Sequence, residues 1–323
     1  MPYTYCTNAK QLADLGKSSY AEALFKSAFC GFHTKNIVMI CCSDFDAALP
    51  IDPTIKQRFK EEHPNMGLLP ETCGKIILDR IIGGELAGLY EFPWMALIAY
   101  GDEKKFGCSG TLITPRYVLT AAHCVVNKEI SGVRIGDYNL QRSQDCQGNI
   151  CENFTQDRKV EKEIVRDDYE WNTYTNDIAL LRLAAPVTIP LKNSDVICLP
   201  LQDEEIANKQ ATVAGWGLTE FGRQSSVLRK VVVPVRPTTV CQDSYSHIPD
   251  KDPGQFCAGI PKKDSCKGDS GGPLMIETVV DGKTRFVQYG IVSNGPERCG
   301  GDSPGIYTDV RKYVTWIMDN IKE

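Results

Sequence analysis

From about residue 81 onward the apolar residues come in short runs separated by Gly, Pro, Asn and Asp, and this spacing restricts the region to an all-β architecture. The runs 95–100, 111–114, 117–120, 178–183, 211–214, 227–235 and 287–292 are each about one strand long. Many short strands at close spacing indicate a barrel or a sandwich. The end of the chain breaks the pattern. Val310, Tyr313, Val314, Ile317 and Ile321 recur at helical spacing and predict an amphipathic terminal helix. The sequence shows no internal repeat and no low-complexity tract.

Cysteine usage sets the second constraint. The chain carries 14 cysteines in 323 residues, and their spacings match neither a C-x-x-C pair nor a Cys/His zinc pattern. Disulfides are favoured over metal, which implies an extracellular protein. The first residues hold no basic start and no apolar signal core, so the expectation is that any signal peptide is absent from this chain and that the chain starts part-way into its first domain. A formal net charge of −5 gives no global reason for binding nucleic acid or an anionic membrane. The longest apolar runs, such as 37–40 and 231–233, fall far short of the ~20 residues that span a bilayer.

Three regions follow from composition. Residues 1–42 hold Cys6, Cys30, Cys41 and Cys42 and too few apolar residues for a core without staples. Residues 43–72 have no cysteine but Pro50, Pro53, Pro64 and Pro70 around a charged run at 56–62. They read as an exposed linker with one short helix over 54–62. The division is therefore a small cysteine-rich module over 1–42, a linker and activation segment over 43–80, and a β domain over 81–323.

Candidate chemistry begins at Gly268-Asp269-Ser270-Gly271-Gly272-Pro273. A serine between glycines lets backbone approach a reacting carbonyl, and the amides of Gly268 and Ser270 are placed to meet a developing oxyanion. The same residues would also make an ordinary glycine turn. A serine hydroxyl needs a base, and the chain has 4 histidines. His33, His63 and His247 lie in polar or linker surroundings and read as solvated. His123 differs, because it follows Thr120-Ala121-Ala122 at a strand end and precedes Cys124, whose bridge would fix it. Asp177 stands at the mouth of the apolar strand Ile178-Ala179-Leu180-Leu181, where a buried carboxylate needs a partner.

The chain order His123, Asp177, Ser270 is the chymotrypsin order, distinct from the subtilisin and α/β-hydrolase orders. Residues 81–323 resemble the chymotrypsin-like serine proteases through Ile81-Ile82-Gly83-Gly84, Thr120-Ala121-Ala122-His123-Cys124, Asp177-Ile178-Ala179-Leu180, Gly215-Trp216-Gly217, Gly268-Asp269-Ser270-Gly271-Gly272-Pro273 and Pro304-Gly305-Ile306-Tyr307. The resemblance implies two six-stranded antiparallel β-barrels with the active site between them. It makes Ser270 the nucleophile, His123 the general base and then acid, and Asp177 the orienting carboxylate. The family's pocket floor lies six residues before the nucleophile, which is Asp264 here. An anion there favours a substrate Arg or Lys. Ser293, Gly295 and Gly305 fall at substrate-binding positions, and Asn294 stands where most relatives carry Trp, which removes a flat apolar wall.

Asp79-Arg80-Ile81-Ile82 resembles the family's activation site. Cutting after Arg80 would give Ile81 an α-ammonium, ordinarily titrating near ~8, that docks beside Asp269. The intact chain is then a zymogen. The resemblance pairs Cys108–Cys124, Cys241–Cys257 and Cys266–Cys299, tethers the cleaved segment through Cys73–Cys198 and closes a short loop with Cys146–Cys151. Asn153-Phe154-Thr155 is a glycosylation sequon.

Cys6, Cys30-Gly31-Phe32 and Cys41-Cys42 resemble a clip domain, the disulfide module that precedes arthropod cascade proteases. That pattern implies a Cys6–Cys42 pair and upstream partners for Cys30 and Cys41. No cofactor is required for the chemistry. Asp137 matches a position where some relatives start a calcium loop, with Asp145 and Glu152 following, although solvated loop acids explain the stretch as well. The combined resemblance implies a secreted haemolymph protease of an immune (melanisation or Toll), developmental or clotting cascade. Its implied partners are an upstream activating protease, a protein substrate such as prophenoloxidase or the Spätzle precursor, and a serpin inhibitor. The alternatives are a non-catalytic protease homologue acting as a binding cofactor, or a digestive trypsin.

Overall fold

The computed structural model describes residues 29–34, 37–40, 63–76, 86–103, 105–152, 154–202, 204–218, 222–245, 254–260, 268–295 and 303–323. The chain forms two compact units, Met1–Glu62 and His63–Glu323. In the first, β1 (Phe29–Thr34) and β2 (Ile37–Ile40) make an antiparallel hairpin with Phe29 opposite Ile40 and Thr34 opposite Ile37. The helix expected over 54–62 and the Cys6–Cys42 pair lie outside the described residues.

The second unit is all-β with short helical pieces. Its first sheet contains β3 (Met95–Tyr100), β4 (Lys105–Thr114), β5 (Tyr117–Thr120) and β6 (Ile130–Ile135). A separate two-stranded ribbon, β7 (Asp145–Gln147) and β8 (Ile150–Glu152), follows in the chain. β9 (Gln156–Arg158), β10 (Val160–Val165) and β11 (Ala179–Leu183) complete the sheet in the order β10-β11-β5-β4-β3-β6-β9. Only Lys159 separates β9 from β10. The two edges of the sheet are thus consecutive along the chain, and the seven strands form a half-barrel rather than the closed six-stranded barrel expected.

The second barrel is closed by hydrogen bonds throughout. β12 (Gln210–Gly215), β13 (Arg229–Arg236), β14 (Gln255–Ala258), β15 (Pro273–Val280), β16 (Lys283–Asn294) and β17 (Gly305–Asp309) run in the order β12-β13-β14-β17-β16-β15. A short helix α1 (Thr238–Ser244) lies between β13 and β14, and α2 (Val314–Asn320) ends the chain. Strands such as β3 and β5 are buried along nearly their whole length, because one face fills a barrel and the other packs on the neighbouring layer. Trp94 and Phe286 meet edge to face at 5.8 Å, and the Trp94 indole N–H points at Met275 Sδ 3.2 Å away, joining the two sheets.

Two expectations shift. The terminal helix begins at Val314 rather than Val310, because Asp309 caps a 3₁₀ turn over Val310–Tyr313 by accepting the Arg311 N–H at 3.2 Å. Residues 63–72, read as exposed linker, are mostly half-buried and packed on the catalytic unit. His63 opens a 3₁₀ turn over Pro64–Leu68 and contacts Asp319 at 2.9 Å. Asn65 Nδ2 donates to the carbonyls of Met318 (2.8 Å) and Ile321 (3.2 Å), closing the open end of α2. Prolines and missing cysteines gave no sign of this, because the partners lie at the other end of the chain. The Cys73–Cys198 bridge then anchors the same segment. Gly74 follows with φ +57, and a Cβ there would sit 2.1 Å from the Phe286 carbonyl. Only glycine fits.

Candidate active site

Antiparallel pairing brings the first two candidate residues together. Thr120, the last residue of β5, faces Ala179, the first of β11. His123 lies just after the one and Asp177 just before the other, so both emerge at the same end of the sheet. His123 sits in a 3₁₀ turn over Ala122–Cys124, pinned by the Cys108–Cys124 disulfide. Its Nδ1 is 2.7 Å from Asp177 Oδ2, and its backbone N–H donates to Asp177 Oδ1 at 2.8 Å. The Asp177 side chain is 0% exposed. Carboxylate oxygens accept, so the proton on this side of the ring belongs to Nδ1, leaving Nε2 to act as a base.

Asp177 also reaches the second barrel. Ser293 on β16 donates its hydroxyl to Oδ2 at 2.5 Å, and Thr308 on β17 donates to the Asp177 carbonyl at 2.8 Å. Sequence reasoning placed Ser293 only among substrate contacts; its hydroxyl also completes the shell around the carboxylate. No sequence signal marks this contact, because the register shift between Val292 and Asn294 beside Ser293 exists only in the folded ladder. Gly295 is half-buried at the end of that strand, and Gly305 is buried in β17.

The Ser270 segment is held by close backbone approach. Ser109 on β4 donates its N–H to the Ser270 carbonyl at 2.8 Å, and the Gly271 N–H reaches Val292 O at 2.8 Å. Gly271 has φ +77, and a Cβ there would stand 2.2 Å from Thr120 Oγ1 and 2.4 Å from Ser109 O. The residue beside Ser270 must therefore be glycine. The segment rests against the end of β5, two residues upstream of the His123 turn. Among the described contacts, hydrogen bonds join His123 to Asp177 and not to Ser270; in the absence of a substrate such catalytic contacts are commonly loose.

Asp269 explains a motif whose purpose the sequence left open. Its carboxylate sinks into a notch between Gly215 and Gly217 and accepts the Gly217 N–H at 2.8 Å. A Cβ at Gly215 or Gly217 would meet that carboxylate at 2.1 or 2.6 Å. The Gly-Trp-Gly spacing is the space that the acid occupies.

Several expected residues lie outside the described residues: Arg80, Ile81, Asn153, Asp264, Cys266 and Cys299, as does the side chain of Cys241. Cys257 is disulfide-bonded, and Cys146–Cys151 forms as expected, stapling β7 to β8. Of the three acids read as possible calcium ligands, Asp145 and Glu152 are engaged by backbone N–H groups, while Asp137 Oδ1 is buried with no partner among the described residues. Asp145 spends its oxygens on the N–H groups of Tyr138 (2.8 Å) and Asn139 (2.9 Å), and Glu152 accepts from Phe154 N. Asp137 Oδ2 lies 3.3 Å from the Arg134 guanidinium, which supplies the positive charge there. Among the described residues the one cluster with metal-ligand spacing is Cys108, His123 and Cys124, whose thiols are already bridged.

The fold and this geometry define a chymotrypsin-like serine protease. The trypsin family model matches residues 81–317. The chain is 34% identical over 350 residues to CLIP domain-containing serine protease HP8 of Bombyx mori, covering 100% of this chain and 91% of that protein. It is 42% identical to phenoloxidase-activating factor 3 of Holotrichia diomphalia, over 77% of this chain and 75% of that one. The crystal structure of the Drosophila Grass clip serine protease of the Toll pathway superposes with a TM-score of 0.70 at 31% identity, covering 99% of this chain and 93% of that one. The chain belongs to the trypsin family and, within it, to the clip-domain serine proteases. It is a trypsin-like serine endopeptidase.

Proposed function

We propose that the protein is the secreted precursor of an endopeptidase that is cut after Arg80 and then cleaves protein substrates after Arg or Lys in an arthropod immune cascade. The observation that carries the chemistry is the double contact of buried Asp177 with the ring and backbone of His123. Ser270 Oγ attacks the scissile carbonyl carbon while its proton passes to His123 Nε2. The imidazolium, steadied by Asp177 through Nδ1–H, gives that proton to the departing amine, whose C–N bond breaks to leave an acyl-Ser270 ester. Water, deprotonated by His123, releases the acid and restores the serine. The N–H groups of Gly268 and Ser270 are the donors assigned to the oxyanion.

Substrate choice rests on Asp264, aligned six residues before Ser270, with Ser293, Gly295 and Gly305 beside the slot. Activation rests on the Ile81 ammonium joining Asp269 in its glycine notch, a buried pair that exists only after cleavage. Gly217 N–H, already bound to that carboxylate, supports this role. The Cys73–Cys198 bridge keeps the cleaved N-terminal part attached. The cascade assignment draws on the relatives: phenoloxidase-activating factor 3 and the Toll-pathway protease Grass. Prophenoloxidase and the Spätzle precursor are the substrates to try first, with an upstream protease and a serpin as regulators. Secretion is supported by the disulfides; no helix among the described residues is long and apolar enough to cross a membrane.

The test is to cut the full chain after Arg80, confirm the new N-terminus by sequencing, and assay chromogenic peptides ending in Arg, Lys or Phe. Hydrolysis after Arg and Lys, lost in Ser270→Ala and redirected in Asp264→Ser, is expected. Undiminished activity of Ser270→Ala would overturn the assignment.

A further inference from the structure

We infer that Gln255 and Tyr313 are positioning residues for the catalytic pair, clamping the loop over residues 173–176 that delivers Asp177 to His123. The inference rests on the roles just assigned to those two residues. Within the loop, Tyr174 (φ +54) and Asn176 (φ +58) both adopt the left-handed conformation. That region disfavours side-chain-bearing residues, most of all a bulky one such as Tyr, and such strain persists only where the surroundings impose it.

The imposing groups come from elsewhere in the fold. Gln255, on β14 of the second barrel and 4% exposed, donates Nε2 to the carbonyls of Tyr174 (2.7 Å) and Thr173 (3.3 Å). Its Oε1 is buried with no partner among the described residues, so the amide engages the loop through its donor end alone. Tyr313, just before α2, donates its hydroxyl to Asn176 Oδ1 at 2.8 Å, while Asn176 Nδ2 donates to Asp168 O at 3.0 Å. Burial, with nearby Asp168 and Asp309, pushes the Tyr313 phenol up to about 12 despite Arg166, so it stays a donor at any working pH. The two clamps abut: a Cβ at Gly254 would lie 2.3 Å from the Tyr313 hydroxyl.

What the loop carries explains the clamp. Asp177 follows directly and makes its two contacts with His123, and the Tyr174 ring meets the His123 ring edge to face at 5.8 Å. Carboxylate and phenol ring bracket the imidazole from one short loop. A displacement of that loop would misplace the base before it loosened substrate, because among the described residues no hydrogen bond joins either clamp to Ser270, Ser293, Gly295 or Gly305.

Full-length chain cut after Arg80 is the test material, with Tyr313→Phe and Gln255→Met as variants. With a short Arg peptide, kcat is expected to fall on the order of tenfold while KM stays within about twofold. The downfield proton resonance of His123 Nδ1–H should shift or broaden in both variants, in cut and uncut chain alike. Asn176→Gly supplies the second arm, since glycine adopts the left-handed conformation unaided. In that background Tyr313→Phe should cost less than about twofold in kcat, a coupling that a general stability role would not produce. Unchanged kcat and resonance with only a lower Tm, or purely additive losses, would overturn the clamp. An inactive parent enzyme whose variants still shift the resonance would instead sink the catalytic assignment beneath it.

Discussion

Ser293 donates its hydroxyl to Asp177 Oδ2 at 2.5 Å, so a residue of the second barrel helps hold the carboxylate that orients a histidine of the first. The contact joins β16 to the residue two before β11, on the same oxygen that meets His123 Nδ1, and Thr308 holds the Asp177 backbone carbonyl.

Removing that donor tests its share. Ser293→Ala leaves the Asp177 carboxylate short of one hydrogen bond in a fully buried site. A hydrogen bond to a charged group contributes about 1.5–3 kcal/mol, so kcat/KM on an Arg peptide should drop at least about tenfold. Steady-state kinetics with the fold checked by circular dichroism would show it; unchanged kcat/KM would mean that His123 alone orients the acid.

The notch around Asp269 makes a sharper demand. Gly217→Ala keeps the N–H that bonds Asp269 but places a Cβ about where its carboxylate lies, at 2.6 Å. The acid must move, and the oxyanion donors on either side of it, the N–H groups of Gly268 and Ser270, move with it. The cut enzyme should lose activity by about a hundredfold or more, the scale of an oxyanion donor's removal, while remaining folded. Full activity in this variant would show that Asp269 does not set the Ser270 segment.

The Asp137 carboxyl sits above the ordinary Asp range because it is buried and faces Asp145, with Arg134 offsetting only part of this. A raised carboxyl contributes stability in acid and loses it as pH climbs through its raised range. Asp137→Asn should therefore increase Tm near neutral pH, by a few degrees at most, and the gain should vanish in acid. A chelator should leave Tm unchanged, since Asp137 Oδ2 lies 3.3 Å from the Arg134 guanidinium and Asp145 is engaged by two backbone N–H groups. Thermal melts at two pH values, with and without EDTA and added Ca²⁺, check both statements; a Tm that falls in EDTA and recovers with Ca²⁺ would contradict them.

Much of this was readable along the chain because it depends on local pattern. Strand runs such as 95–100 and 117–120 match β3 and β5, and the strand-end positions of His123 and Asp177 anticipated their contact. What was hidden depends on distant partners or on a ladder irregularity. Asn65 looked like linker because its acceptors are backbone carbonyls of Met318 and Ile321. Ser293 looked like a slot residue because its side-chain direction follows from the shift in β16. The role of Asp145 was hidden because sequence shows its charge but not the N–H groups of Tyr138 and Asn139 that engage it.

Labelling with an aryl phosphonate bearing an Arg-like side chain tests the central claim most directly. In the chain cut after Arg80, Ser270 Oγ should displace the aryloxide and form a phosphonyl ester found by mass spectrometry on the peptide containing Ser270. The uncut chain and a cut His123→Ala variant should label far more slowly. An adduct on another residue, or equally fast labelling of Ser270 in the uncut chain or without His123, would contradict a serine activated by His123 and Asp177 once Ile81 is freed.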